Sequence, residues 1–181
     1  TRGCNFRCSW CHNKELVYPH LYPPLIDDKE IDRFLARLKP NSTSFLYDGV
    51  VVSGGEPLTT PSLSYLLKAI KKIGLKVRLD TNGSMPDKLI SLIEEELIDE
   101  VAVDYKVPFD MYKMVGCDDV EAVKKSLSYI ASTGKGYIRT TLIDGIHTTK
   151  MIEQMRKELH DLVEDFVDWR FNNKELLSNI V

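Results

Sequence analysis

Gly49-Val50-Val51-Val52-Ser53-Gly54-Gly55-Glu56-Pro57 is a β-branched run that passes directly into two glycines and a carboxylate. Consecutive valines favour extended backbone, and a short apolar run closed by glycine reads as a buried strand. The form recurs downstream. Residues 76–79 read as a strand ending at Asp80-Thr81-Asn82-Gly83, and residues 100–103 as one ending at Asp104-Tyr105-Lys106. Residues 137–143 carry Arg139 and end at Asp144-Gly145, and residues 166–171 offer a last strand.

Between these strands the apolar period changes from two to that of a helix. Residues 62–73 place Leu63, Leu66, Leu67 and Ile70 on one side and stop at Gly74. Pro86 opens a helix through Leu89, Ile90, Ile93 and Leu97, residues 120–132 form one closed by Gly134, and 151–163 form another. Upstream, Asp27 or Asp28 caps a helix through Ile31, Phe34, Leu35 and Leu38 that Pro40 ends, whereas the prolines of 18–24 discourage regular structure. The tail from residue 174 reads as helix or frayed end.

Strands alternating with helices at spacings of roughly 25 to 35 residues call for parallel βαβ units with right-handed crossovers. The chain opens at Thr1, three residues before its first cysteine, so a preceding strand is expected to lie outside the sequence. Counting it gives six units, enough for an α/β partial barrel: a curved parallel sheet with outer helices. A doubly wound sheet is the alternative that periodicity leaves open. Length points to a single domain over residues 1–181.

Apolar residues make up 43%, charged residues 28%, and the formal net charge is −3. These are ordinary globular values without a nucleic-acid footprint. No apolar run reaches the ~20 residues of a membrane helix, and no signal peptide opens the chain. Clustered cysteines in such a chain point to reducing cytoplasm.

In parallel α/β folds, ligands sit at the carboxyl ends of strands. Gly54-Gly55-Glu56, Asp80-Thr81-Asn82, Asp104 with Lys106, and Arg139 would therefore converge on one mouth. Taken singly, each is an ordinary turn or a solvated pair; their repetition at successive strand ends is the signal. Beside them lies Cys4-Asn5-Phe6-Arg7-Cys8-Ser9-Trp10-Cys11, and only Cys117 is left elsewhere. A structural zinc ion takes four ligands, whereas three thiolates on an iron–sulfur cube leave one iron open. A zinc site completed by His12 or a distant residue, and metal-free thiols, are the competing readings.

The cysteine spacing, with an aromatic before the third cysteine, resembles the signature of the radical S-adenosylmethionine superfamily. Ser53-Gly-Gly-Glu-Pro57 resembles its glycine-rich motif, which binds the methionine amino group. Leu79-Asp-Thr-Asn-Gly83 and Val103-Asp-Tyr-Lys106 resemble blocks of glycyl-radical-enzyme activases, and Cys11-His12-Asn13 points the same way. Gly49 to Pro57, residues 76–83 and Tyr137-Ile-Arg-Thr-Thr141 are most similar to anaerobic ribonucleoside-triphosphate reductase activating proteins, then to pyruvate formate-lyase activating enzymes.

The resemblance implies a partial (β/α)6 radical SAM barrel with its first strand truncated. It implies a [4Fe–4S] cluster on Cys4, Cys8 and Cys11, with S-adenosylmethionine chelating the open iron through its amino and carboxylate groups. Glu56 would accept from the ammonium, and Gly54 and Gly55 would allow close approach. Lys106 and Arg139 would meet the carboxylate or ribose, Trp10 would support the adenine or shield the cluster, and Asn82 would join the ligand site. Asp80, Thr81 and Asp104 would hold a monovalent cation. The implied partners are a flavodoxin- or ferredoxin-type electron donor and a glycyl radical enzyme. A radical SAM enzyme acting on a small molecule, such as a deazapurine synthase, is the alternative. Two departures stand out. The last strand reads Trp169-Arg170-Phe171-Asn172 where some activases carry a histidine, so no ribose role is assigned there. No cysteines lie between Cys11 and Glu56, so one cluster is expected. Cys117 is expected to be inert.

Overall fold

The computed structural model describes residues 1–22, 28–38, 47–163 and 167–173. Among the described residues five strands are formed: β1 (Gly49–Val52), β2 (Lys76–Thr81), β3 (Glu100–Asp104), β4 (Gly136–Leu142) and β5 (Trp169–Asn173). They make one sheet in the order β1-β2-β3-β4-β5, every neighbouring pair parallel. A doubly wound sheet reverses its strand order at a switch point. This one does not, and the singly wound, barrel-like alternative is the one adopted.

Helices α1 (Lys14–Val17), α2 (Asp28–Leu38), α3 (Leu63–Lys72), α4 (Pro86–Glu94), α5 (Val120–Thr133) and α6 (Thr149–Leu162) complete the architecture. Their apolar stripes supply the core: Leu63, Leu67 and Ile70 from α3, Leu89, Leu92 and Ile93 from α4, Val123, Leu127 and Ile130 from α5, Met155 and Leu159 from α6. All join one cluster with Val77 and Leu79 of β2 and Val101 and Val103 of β3. Each fully buried side chain of this size contributes about 1.5–3 kcal/mol, so this stripe packing outweighs the modest propensities of the segments themselves.

Several sequence expectations shift. β1 is only partly buried, with Val51 50% exposed, because it forms the edge of the described sheet. Phe34 of α2 points outward at 53% exposure; Leu35 carries the burial instead. β2 runs through Asp80 and Thr81, which places both polar groups on the strand's last turn of pleat. α4 stops at Glu94, ahead of the buried Leu97, because Glu96 adopts a left-handed φ of 56°. A 3₁₀ helix at Phe109–Val115, not foreseen, buries Tyr112 and Val115 beneath the cysteine loop, and Pro19–Leu21 forms one turn within the proline-rich stretch. Asp27, Pro40, Phe166 and the tail lie outside the described residues.

The corner from Asp104 to Lys106 is fixed by Tyr105, which is fully buried between them. Its backbone N–H donates to the Arg139 carbonyl at 2.8 Å, and its own carbonyl accepts from Thr140 Oγ1 at 2.6 Å. Its hydroxyl donates to Glu158 of α6, which also accepts from Phe109 N and Gln154 Nε2, each at 2.8 Å. Burial, then the bond to Glu158, holds the phenol protonated far above its ordinary range. Glu158→Ala would leave the Phe109 N–H and Tyr105 hydroxyl without partners, and bonds to a charged acceptor are worth ~1.5–3 kcal/mol. Urea unfolding should show a loss of about 2–3 kcal/mol for Glu158→Ala, with Glu158→Gln losing less than half of that.

Candidate active site

At the end of β1 the chain meets its own beginning. Thr1 N donates to Ser53 O at 2.6 Å, Gly55 N to Thr1 O at 3.0 Å, and Glu56 N to Gly3 O at 2.7 Å. A Cβ on Gly54 would stand 2.0 Å from Thr1 O, and one on Gly55 would stand 2.1 Å from Gly3 O. Gly54 also has φ +141°, open only to glycine. The close approach these glycines permit is therefore first of all to residues 1–3, which deliver the cysteine loop to the strand ends.

That loop is pinned from several sides. Gly3 N donates to Leu16 O and Arg7 N to Val115 O, both at 2.7 Å, and Cys11 N donates to Cys8 O at 3.1 Å. Phe6 is 3% exposed and packs edge-on against Tyr112, with ring centres 6.3 Å apart. Cys4, Cys8 and Cys11 are free, half-buried thiols. Burial raises the Cys4 and Cys8 thiols above their ordinary range, with Lys106 pulling back on both.

Glu56 is fully buried. Its Oε1 accepts from Leu58 N at 3.0 Å and Thr81 Oγ1 at 2.7 Å, and its Oε2 accepts from Asn82 N at 2.7 Å. Burial still raises its pKa against these three bonds. No cation touches it among the described residues, so a positively charged ligand group would supply what it lacks.

Opposite lies a charged chain across three strand ends. Lys106 Nζ meets Asp104 Oδ2 at 2.9 Å; Arg139 Nε and Nη2 meet Asp104 Oδ1 at 2.8 and 2.7 Å. Arg139 Nη1 meets Asp80 Oδ2 at 2.9 Å, and Arg78 Nε meets Asp80 Oδ1 at 3.1 Å. The register that pairs Asp104 with Arg139 makes the central contact. Burial opposes the charge on Asp104, but Lys106 and Arg139 prevail and lower its pKa. Burial likewise opposes Lys106 and Arg139, and Asp104 raises both. Arg78 lines a separate cavity at the other ends of the strands, so at the mouth Lys106 and Arg139 balance Asp80 and Asp104.

Apart from Arg78, these groups line one cavity of about 300 Å³. Cys4, Cys8, Trp10, Cys11, Gly54, Gly55, Glu56, Asp80, Thr81, Asn82, Asp104, Lys106 and Arg139, all singled out from the sequence, are brought to it. Asn82 reaches it with its amide already engaged: Oδ1 accepts from Ser84 N at 3.0 Å and Ser84 Oγ at 2.6 Å, and Nδ2 donates to Asn5 Oδ1 at 2.9 Å. The carboxylates of Asp80 and Asp104 close on Arg139, and the Thr81 hydroxyl closes on Glu56. The guanidinium thus stands between the two aspartates expected to share a monovalent cation. Among the described residues no three His, Cys, Asp or Glu side chains gather closely enough for a single ion. Cys117 lies apart, 6% exposed, its thiol donating to Asp119 O.

Sequence reasoning passed over Thr141 and Asn172, which also line the cavity. Thr141 shares a strand face with Arg139, two residues earlier, and Asn172 is its register partner on β5. Strand parity marked the first; the second needed the register.

The donor set fits a cluster and a zwitterionic ligand. Three thiols border a cavity whose lining also carries a buried, cation-free carboxylate, Glu56, and the cations of Lys106 and Arg139. The carboxylate suits an amino group and the two cations a carboxylate.

Comparison with known proteins agrees. The family model described as the Radical SAM superfamily matches residues 1–159. Two Methanocaldococcus jannaschii proteins, both inferred glycyl-radical enzyme activating enzymes, are 33% and 29% identical over 168 residues, 88% of this chain. The chain spans 66% and 60% of their lengths. A 7-carboxy-7-deazaguanine synthase from Methanopyrus kandleri is 29% identical over 126 residues, 59% of this chain and 47% of its own. Among solved structures, anSMEcpe with bound AdoMet superposes with a TM-score of 0.69 at 17% identity, covering 96% of this chain and 49% of that one. That likeness shows the fold: a partial barrel.

Because the folded-state pKa of Glu56 is raised, its neutral form contributes stability that is complete below the ordinary value of 4.5 and lost as pH climbs through the folded-state value. Urea titrations from pH 4.5 upward should show this decline in the unaltered chain, and Glu56→Gln should flatten it. An equal slope in the variant would remove Glu56 as its source.

Proposed function

The chain belongs to the radical SAM superfamily, and from that premise we propose that it is a radical S-adenosylmethionine activase acting on a glycyl radical enzyme. The superfamily works with a [4Fe–4S] cluster and S-adenosylmethionine. The observation that carries the reading is the cavity that the Cys4, Cys8 and Cys11 thiols share with Glu56 and with the ion-paired Lys106 and Arg139.

Cys4, Cys8 and Cys11 would hold the cluster, leaving one iron for the ligand's amino and carboxylate groups. When bound, the cluster supplies the electron that cleaves S-adenosylmethionine reductively. The residues bind, orient and exclude water. Glu56 accepts from the N–H bonds of the ligand's amino group, adding to the three donors it already has. Lys106 and Arg139 face the carboxylate or the ribose, Trp10 walls the adenine side, and Thr141 and Asn172 border the remaining space. Holding the reacting groups in a dry, fixed site is the protein's main contribution.

The activase assignment is supported by the Methanocaldococcus relatives and by the motif blocks of β1, β2 and β4. We propose anaerobic ribonucleoside-triphosphate reductase as the partner, with pyruvate formate-lyase next, and a flavodoxin or ferredoxin as electron donor. The deazaguanine synthase relative favours a second reading, a small-molecule substrate bound in the same mouth.

After anaerobic reconstitution, incubation with a candidate partner, reductant and S-adenosylmethionine should give a glycine-centred doublet in electron paramagnetic resonance. 5′-Deoxyadenosine should accumulate only when that partner is present. Its accumulation with a deazapurine precursor and no partner would select the second reading. Cys8→Ala should abolish cleavage, since removal of one thiolate undoes the cluster; cleavage surviving in that variant would refute the cluster assignment.

A further inference from the structure

His147, at the turn between β4 and α6, has both ring nitrogens committed. Ile143 N donates to its Nδ1 at 3.0 Å, and its Nε2 lies 2.8 Å from the carbonyl of Lys106. A backbone N–H can only donate and a carbonyl can only accept. Nδ1 must therefore be the acceptor and Nε2 the donor, which requires the neutral imidazole in its Nε2–H tautomer. The turn is closed from the other side as well, by Ile146 N at 3.1 Å and His147 N at 3.0 Å, both donating to Ile143 O.

The ring makes a third contact, edge-on to Trp10 with centres 6.1 Å apart at 76°. One side chain thus joins three loops: the turn after β4, the Lys106 corner after β3, and the Cys8–Cys11 turn that carries Trp10. Two of these bring groups to the cavity, while His147 itself does not line it.

We infer that His147 is a positioning residue that locks Lys106 and Trp10 into the geometry the ligand meets, acting as a neutral, Nε2-protonated imidazole. The inference deepens the proposed function and rests on it for the identity of the ligand, S-adenosylmethionine. With the Lys106 carbonyl fixed, its ammonium stays on Asp104 and toward Cys8. With the ring against Trp10, the wall of the cysteine loop stays closed. Releasing the polar tether should loosen both at once, whereas losing a merely space-filling ring should not.

Two variants separate these roles. His147→Gln keeps one acceptor and one donor; His147→Phe keeps a ring beside Trp10 but neither polar bond. In long-range ¹H–¹⁵N spectra of the metal-free chain, with His147→Gln for assignment, Nδ1 should resonate as the unprotonated nitrogen and Nε2 as the protonated one. The reverse pattern overturns the inference. In a Trp169→Phe background, acrylamide quenching of Trp10 should rise about twofold in His147→Phe and stay near the parent level in His147→Gln. In anaerobically reconstituted protein of equal iron content, His147→Phe should weaken S-adenosylmethionine binding about tenfold and His147→Gln by less than about threefold, the scale of one or two lost hydrogen bonds. Unchanged quenching and binding in His147→Phe also overturn it. Should the unaltered chain take up iron yet bind no S-adenosylmethionine, the functional reading falls, and the tautomer and Trp10 quenching still decide the role of His147. If His147→Phe fails to fold, the spectra and His147→Gln decide it alone.

Discussion

Two missing side chains set the geometry of the mouth. Because Gly54 and Gly55 carry no Cβ, the backbone of Thr1 to Gly3 lies within hydrogen-bonding distance of the end of β1. Any larger residue would collide with a backbone carbonyl, which cannot rotate aside as a side chain can. The cysteine loop begins one residue later, so its position over the strand ends follows from that contact. Arg7 N on Val115 O and Phe6 on Tyr112 then fix the loop's other side to the 3₁₀ helix after β3. A loop held at both ends can present three thiols in one place without regular structure of its own.

The same turn carries a fully buried carboxylate, Glu56. Burying a carboxylate costs several kcal/mol, and the three donors on Glu56 return roughly 1.5–3 kcal/mol each at best. The upward shift of its pKa shows desolvation still ahead. A residue kept for stability alone would do better as an apolar one of the same volume. Glu56 would instead hold binding energy in reserve, since an amino group docked against it would add N–H donors to a carboxylate that burial disfavours. Elsewhere in the mouth Arg139 and Lys106 are matched by Asp80 and Asp104, so a ligand carboxylate would compete with the aspartates for these cations. A cation-free carboxylate and two cations in one cavity suit the two ends of an amino acid moiety.

How much of this could be read from the residues depended on what each signal encodes. The strand ends were legible because periodicity and polar punctuation recur four times along one chain, at Glu56, Asp80, Asp104 and Arg139. Whether a strand lies at an edge is not in its own sequence, and so Val51 was expected inside and is half exposed. The α2 spacing admitted Phe34 to the apolar stripe, but the stripe is wider than the contact, and Leu35 took the buried place. The glycine pair announced close approach without saying to what. Asn172 was visible only as an absent histidine; its place beside Thr141 depends on register, which a parallel ladder fixes through its neighbours. The helix at Phe109–Val115 is short and mixed in composition, and such segments take their shape from the core they cover.

Arg139 decides how the monovalent-cation expectation has to be framed. The carboxylates of Asp80 and Asp104 each give it an oxygen, at 2.9 Å and 2.7 Å, and a guanidinium stays charged at any accessible pH. A metal ion between the same aspartates would compete for those oxygens while adding a like charge beside Arg139 and Lys106. That repulsion is tolerable only if another anion joins the group. The ligand's carboxylate is such an anion, and it would also give Arg139 and Lys106 a partner other than the aspartates. Were a cation bound there, it would be coupled to the ligand: whatever draws the guanidinium off Asp80 would open the carboxylates to an ion, and an ion placed there would hold the guanidinium toward the ligand. Since linkage of this kind is reciprocal, each would strengthen the binding of the other by the same factor.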